Sequence, residues 1–166
     1  MPRVTYVKSA RVAKPEHGIA VGDPYYHWSM MVGGRGSKRY SKERPSRSQL
    51  TNSSYKSQLY DLVDGAQEGW DSCQDADDVR SKLDDLASSI RDLGEEQRSN
   101  KDNMPEGLQE SETGQLLETR ADSCDSCADE LEAIDTEIDE DGTIAELVER
   151  AQQEMNDALE TLESEA

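Results

Sequence analysis

Cys124 and Cys127 stand three residues apart, the spacing at which two thiolates can share a zinc ion or trade a disulfide. A zinc ribbon needs a second such pair or a histidine partner, and neither follows at a suitable distance. A redox pair opens a helix after a strand, whereas Cys124-Asp125-Ser126-Cys127 sits inside an amphipathic helical stretch. Cys124 falls on the apolar seam of that stretch, where a small buried hydrophobe belongs. With Cys73 the count is three, an odd number that gives no disulfide framework. His17 and His27 have no cysteine beside them, and two imidazoles do not fill a tetrahedral site.

The carboxylates of residues 135–146 come nearer to a calcium loop. Asp135, Glu137, Asp139 and Asp141 alternate and Glu146 takes the twelfth place, but Glu140 stands where the sharp turn needs glycine. A solvated acidic face is the ordinary reading. Gly33-Gly34-Arg35-Gly36 could cradle a phosphate, yet no Gly-Lys-Ser/Thr and helix start follows it. No nucleophile–base pair is apparent either. The expectation is a protein with no catalytic set, no metal and no cofactor.

Binding chemistry remains. Tyr25, Tyr26, Trp28 and Tyr40 are interleaved with Arg35, Lys38, Arg39, Lys42, Arg44 and Arg47, a mixture that can stack bases and hold phosphates. In the plainer alternative the aromatics are the core of a tiny sheet and the cations are solvated or paired with acidic residues. The candidate partner-binding residues are Tyr25, Tyr26, Trp28, Arg35, Lys38, Arg39, Lys42 and Arg44. Charge is divided along the chain. Residues 1–56 hold 11 Lys/Arg against 3 Asp/Glu, and residues 57–166 hold 7 against 34. A head of about +8 therefore precedes a tail of about −27, two kinds of surface on one small protein. Aligned carboxylates could imitate nucleic-acid phosphates, a matter that geometry decides.

These residues must be positioned by two different patterns. Arg3 to Val7 alternates like a short strand, and Tyr25 to Val32 reads as the strongest strand in the chain. Gly33 to Gly36 supplies a hairpin turn, with Ser37 to Ser41 returning. Beyond residue 50 the period becomes helical. Tyr55, Leu59, Leu62, Ala66 and Cys73 mark a helix of about 52–72, weakened by Gly65 and Gly69. Val79, Leu83, Leu86, Ile90 and Leu93 mark one of about 76–99, with Asp75 or Asp77 as N-cap. Leu117, Ala121, Cys124, Ala128, Leu131, Ile134 and Ile138 mark a third, about 112–139, opened by Ser111 or Thr113. Asp141-Gly142 makes a turn. Thr143 to Glu146 fits a capping box for a fourth helix, about 143–164, with Ile144, Val148, Ala151, Met155, Ala158 and Leu162 on its seam.

The fold expected is mainly α: an antiparallel helical bundle or coiled coil (51–166) with a small N-terminal β-hairpin head (1–50). Hydrophobic content is 33% with no Phe, below the roughly 45–50% of ordinary globular chains, so the core is thin. Low hydrophobicity with high charge is also the mark of disorder, against which the regular seams argue. Small seam residues bury little area, which makes self-association one route to stability. No apolar run approaches the roughly 18 residues of a membrane span, and the N-terminus lacks a signal-peptide core.

Gly22-Asp23-Pro24-Tyr25-Tyr26-His27-Trp28, Gly33-Gly34 and Arg44-Pro45-Ser46-Arg47-Ser48-Gln49-Leu50-Thr51 resemble the head of a family of small proteins encoded by tailed bacteriophages. So do Asn103 to Ser111, Thr113-Gly114-Gln115-Leu116-Leu117 and Arg120. The resemblance implies a phage origin, with a place in the host cytoplasm or the virion, and no particular activity. Some relatives carry a cysteine-based zinc-ribbon head; this head has no cysteine and departs from them. The function expected is a non-enzymatic phage interaction protein, in one form a virion structural or capsid-associated component. It would bind phage structural proteins or a host protein. The alternatives are an acidic inhibitor of a host nucleic-acid-binding defence system and nucleic-acid binding through the basic head.

Overall fold

A computed structural model of the chain describes residues 2–32, 34–138 and 142–166. It is mainly helical with a small antiparallel sheet, and it divides into two compact units, Met1–Asp61 and Leu62–Ala166. Among the described residues no helix is long and apolar enough to cross a membrane.

The first unit is built on a three-stranded sheet of order β1 (Thr5–Val7), β2 (Tyr25–Val32), β3 (Arg35–Ser41). Both neighbours are antiparallel to β2; Thr5 pairs with His27, and His27 with Tyr40. The returning strand begins at Arg35, which pairs with Val32, so Arg35 and Gly36 are strand rather than turn. The tight connection uses Gly34 at φ +78°, a conformation a side chain resists. Gly33, the other expected turn residue, lies outside the described residues. Because strand side chains alternate, Tyr26, Trp28 and Met30 share one face and Tyr25, His27, Ser29 and Met31 the other. Trp28 and Met30 are buried, as are Tyr55 and Leu59 of α1 (Ser54–Ala66), Ile19 and Ala10. The boundary between the units falls inside α1.

The expected helix of about 52–72 is shorter than its seam. α1 ends at Ala66, and Gly69, at a left-handed φ of +76°, opens a single 3-10 turn at Trp70–Ser72. Cys73 thus lies beyond the helix, half-buried.

The second unit consists mostly of three long helices, α2 (Ala76–Asp102), α4 (Glu112–Ala133) and α5 (Ile144–Glu165), with a one-turn α3 (Glu106–Gln109) after Pro105. Side chains close the start of each of the three long helices. The Asp75 carboxylate accepts from the Asp78 N–H at 2.9 Å, and the Ser111 hydroxyl from the Gly114 N–H. At α5 the capping box forms: Thr143 Oγ1 accepts from the Glu146 N–H, and Glu146 Oε2 from the Thr143 N–H at 2.9 Å.

Cross-links show that α2 and α4 run antiparallel. Arg80 donates to the carbonyls of Glu132 and Ile134, Arg91 pairs with Asp129, and Lys101 with Glu118 at 2.8 Å. α4 and α5 are antiparallel too: Ser123 donates to Glu165, and the Cys127 thiol to the Ala158 carbonyl at 3.7 Å. Between these helices lie Val79, Leu83, Ala87, Ile90, Ala121, Cys124, Ala128, Leu131, Leu147, Ala151, Met155, Leu159 and Leu162, each at most 2% exposed. A Cβ at Gly94 would stand 3.0 Å from the Cys124 Cβ and 3.3 Å from the Ala121 carbonyl oxygen, so this glycine lets α2 and α4 approach closely.

The third expected helix, about 112–139, ends at Ala133, and Ile134 is extended. Ile134 is buried all the same, whereas Ile138 is 42% exposed. Two causes act together. Asp135 and Glu137 are anions placed where the helix dipole disfavours them. Arg80 and Arg150 then satisfy the freed carbonyls, Arg150 donating to those of Asp135 and Glu137 at 3.1 and 3.0 Å. Asp139, Glu140 and Asp141 lie outside the described residues, and with them the core of the acidic 135–146 loop and half of the expected Asp141-Gly142 turn.

Candidate functional site

Strand alternation separates the residues that composition had grouped. Tyr25 and Lys38 lie on the open face of the sheet; Tyr26, Trp28, Arg35 and Arg39 belong to the opposite parity. Trp28 is only 4% exposed, which removes it from any contact surface, although no partner for its indole N–H stands among the described residues. Tyr26 is half-buried and packs against Tyr6, with centroids 5.1 Å apart. Lys42 pairs with Asp23 at 3.0 Å. The Ala20 N–H and then Lys42 hold the Asp23 carboxyl below its ordinary range. Arg35, Lys38, Arg39 and Arg44 are exposed, and no carboxylate among the described residues forms an ion pair with them.

What the fold does bring together on the open face is an aromatic group centred on Tyr40. His17 lies 5.3 Å from its ring, Tyr25 6.1 Å and His27 6.2 Å, while Lys14 Nζ stands 4.1 Å over its centre. Tyr25, His27, Tyr40 and Lys14 are half-buried, and His17 and Lys38 exposed. His17, His27 and Lys14 were not among the expected contacts. Their signal was available in part, since a two-residue connection pairs His27 with Tyr40 across the hairpin. His17 and Lys14 arrive through the turn at Pro15–His17, which alternation does not place.

A second feature of this unit is an open depression of about 770 Å³ bordered by Arg39 and by hydroxyls including Ser46, Ser53 and Ser57. The Ser46 and Ser48 hydroxyls are 2.8 Å apart, and Ser57 donates to the Ser48 carbonyl. These hydroxyls already have internal partners.

In the helical unit the distinctive feature is where the cations go. The unit carries 7 Lys/Arg against 33 Asp/Glu. Arg91 reaches Asp129 and Glu132, Arg98 reaches Asp122 and Asp125, and Lys101 reaches Glu118. Arg80, Lys82, Arg120 and Arg150 donate to main-chain carbonyls within the unit. Glu132 and Glu118 are held below the ordinary carboxylate range by Arg91 and Lys101 respectively. Glu149, Glu154, Asp157 and Glu160 of α5 are exposed and form no ion pair among the described residues.

The cysteines do not converge. Cys124 and Cys127 are both buried in α4, and burial first, then Glu130 and Cys124, pushes the Cys127 thiol up to about 12. Among the described residues no group of three or more His, Cys, Asp or Glu side chains is placed to hold a metal ion. Comparison with known proteins brings no match: no family model fits the chain, and neither a curated protein nor a solved structure is similar to it.

Proposed function

We propose that this chain is a non-enzymatic interaction protein of phage origin whose helical unit offers a carboxylate surface to a positively charged protein partner. In this reading the three long helices act as an antiparallel bundle, a rigid support for surface charge. The observation that carries it is the internal use of all seven cations of that unit. Each one bonds to a carboxylate or a main-chain carbonyl of its own unit, so the cations do not mask the remaining carboxylates of α5. A surface of one sign accelerates encounter with the opposite sign and repels like-charged molecules. Two forms of the proposal differ in partner. In one, the chain is a virion component bound to a basic phage structural protein. In the other, it occupies the basic groove of a host nucleic-acid-binding protein.

The test uses the tagged full chain recovered from infected cells and from purified particles. The quadruple variant Glu149→Gln, Glu154→Gln, Asp157→Asn, Glu160→Gln should keep its helicity and lose at least tenfold of the partner held by the natural chain. Retention of the same partner at the same level by the neutralised chain would overturn the reading. A fixed copy number in particles selects the virion form; absence from particles, together with competition against DNA for the partner, selects the inhibitor form.

A further inference from the structure

The helical unit leaves the open face of the β-sheet without a role, and that face has its own chemistry. The sheet has an inner side, where Trp28 and Met30 are each 4% exposed. A chain this poor in aromatics has an obvious use for rings in that core, yet Tyr25, His27 and Tyr40 occupy the other face and stay half-buried. His17 joins them, so four rings lie within 5.3–6.2 Å of a neighbour around Tyr40. Two cations complete the face. Lys14 sits over Tyr40, and Lys38 shares the face through its pairing with Ser29. Neither forms an ion pair with a carboxylate among the described residues.

We propose that this face binds single-stranded nucleic acid, with bases stacking on Tyr25 and Tyr40 and the adjoining phosphates held by Lys14 and Lys38. Half-exposed rings on a small sheet give planar apolar surface that any base can cover, and lysines beside them supply the sequence-independent attraction to phosphate. An acidic peptide would satisfy the lysines and leave the rings without partners. A duplex would present its phosphates and keep its bases stacked inside. The unit that carries the face holds 11 Lys/Arg against 4 Asp/Glu, so its own field favours a polyanion. The carboxylates of the other unit oppose binding only within a screening length of about 8 Å at physiological salt. The inference is independent of the acidic surface, because its residues and its ligand are different.

The test is fluorescence anisotropy of the full chain with a short labelled oligothymidylate, beside an abasic strand of equal length and a hairpin duplex. The oligothymidylate should bind at least tenfold tighter than either control. Tyr25→Ala with Tyr40→Ala should cost at least tenfold, since stacking is worth about 1–3 kcal/mol per base and about 1.4 kcal/mol is tenfold. Tyr25→Phe with Tyr40→Phe keeps the rings and should bind within about twofold of the natural chain. Lys14→Gln with Lys38→Gln should flatten the dependence of log affinity on log salt by about 1.4, roughly 0.7 for each phosphate no longer neutralised. Arg39→Gln, next to Lys38 but of opposite parity, should cost clearly less affinity than Lys38→Gln, only its share of the unit's overall field. Equal affinity for the abasic strand would overturn the proposal, as would no binding at about 100 μM protein. An Arg39→Gln loss equal to that of Lys38→Gln would also overturn it. The phenylalanine and glutamine variants keep the test decisive if the alanine pair fails to fold.

Discussion

A cysteine's role is set by what surrounds its sulfur. Cys127 is 3% exposed, faces the Ala158 carbonyl, and has its thiol pushed up to about 12 mainly by burial. Cys73 is half-buried and its thiol is raised as well, first by burial. A thiol reagent at mildly alkaline pH should therefore modify a single cysteine, Cys73, in the folded protein, and all three only in denaturant. The sign of the pH effect follows from the same burial. Below about pH 9 both folded and unfolded chains keep the Cys127 proton. Above it the unfolded chain ionises while the folded one does not until about pH 12. Folding stability should fall across that window by about 1.4 kcal/mol per pH unit from this group, and Cys127→Ala should remove that component of the slope in urea titrations. Residue type alone gave half of this. The four-three spacing put Cys124 on a seam, but it left Cys127 out of the core and could not rank the thiols.

At the level of elements, local chemistry dictated where helices start better than where they stop. Thr143 and Glu146 close the α5 capping box, which holds the Glu146 carboxyl below its ordinary range through the Thr143 N–H first and then its hydroxyl. Thr143→Ala should cost about 1 kcal/mol of stability in urea unfolding, while Thr143→Ser should cost a few tenths at most. Starts are legible because one short polar side chain serves backbone donors two or three residues away. The stops of α1 and α4 were misplaced for different reasons. At α1 the apolar spacing continued to Cys73, although the helix had ended at Ala66 and the chain had turned at Gly69 into a separate 3-10 turn. At α4, Ile134 keeps its place in the core after the helix has ended, so its apolar spacing survives the change of backbone. The carbonyls released there are taken up by Arg80 and Arg150, which arrive from two other helices.

For the whole molecule the balance of charge dominates. The unit Leu62–Ala166 carries a net of about −26, and its ion pairs are largely exposed, each worth little. Repulsion among the remaining carboxylates works against the folded state. Raising salt from low ionic strength to about 0.5 M should thus stabilise the protein, and a gain of about 1 kcal/mol would raise its Tm by roughly 2–4 °C. A thermal melt in which Tm falls with salt would mean that the ion pairs outweigh the repulsion. The order of charge, the existence of the hairpin and the long helices, and most apolar seams were determined by the sequence itself. Period, turn glycines and caps act within a few residues, where the neighbours are already known. Tertiary structure alone decided that all seven cations of the helical unit are used internally, and that Trp28 is buried while Tyr25, His27 and Tyr40 share an open face with His17 and Lys14. Those outcomes depend on which atoms distant segments bring within about 3–6 Å, and a guanidinium or a ring has no preference among partners until packing supplies them.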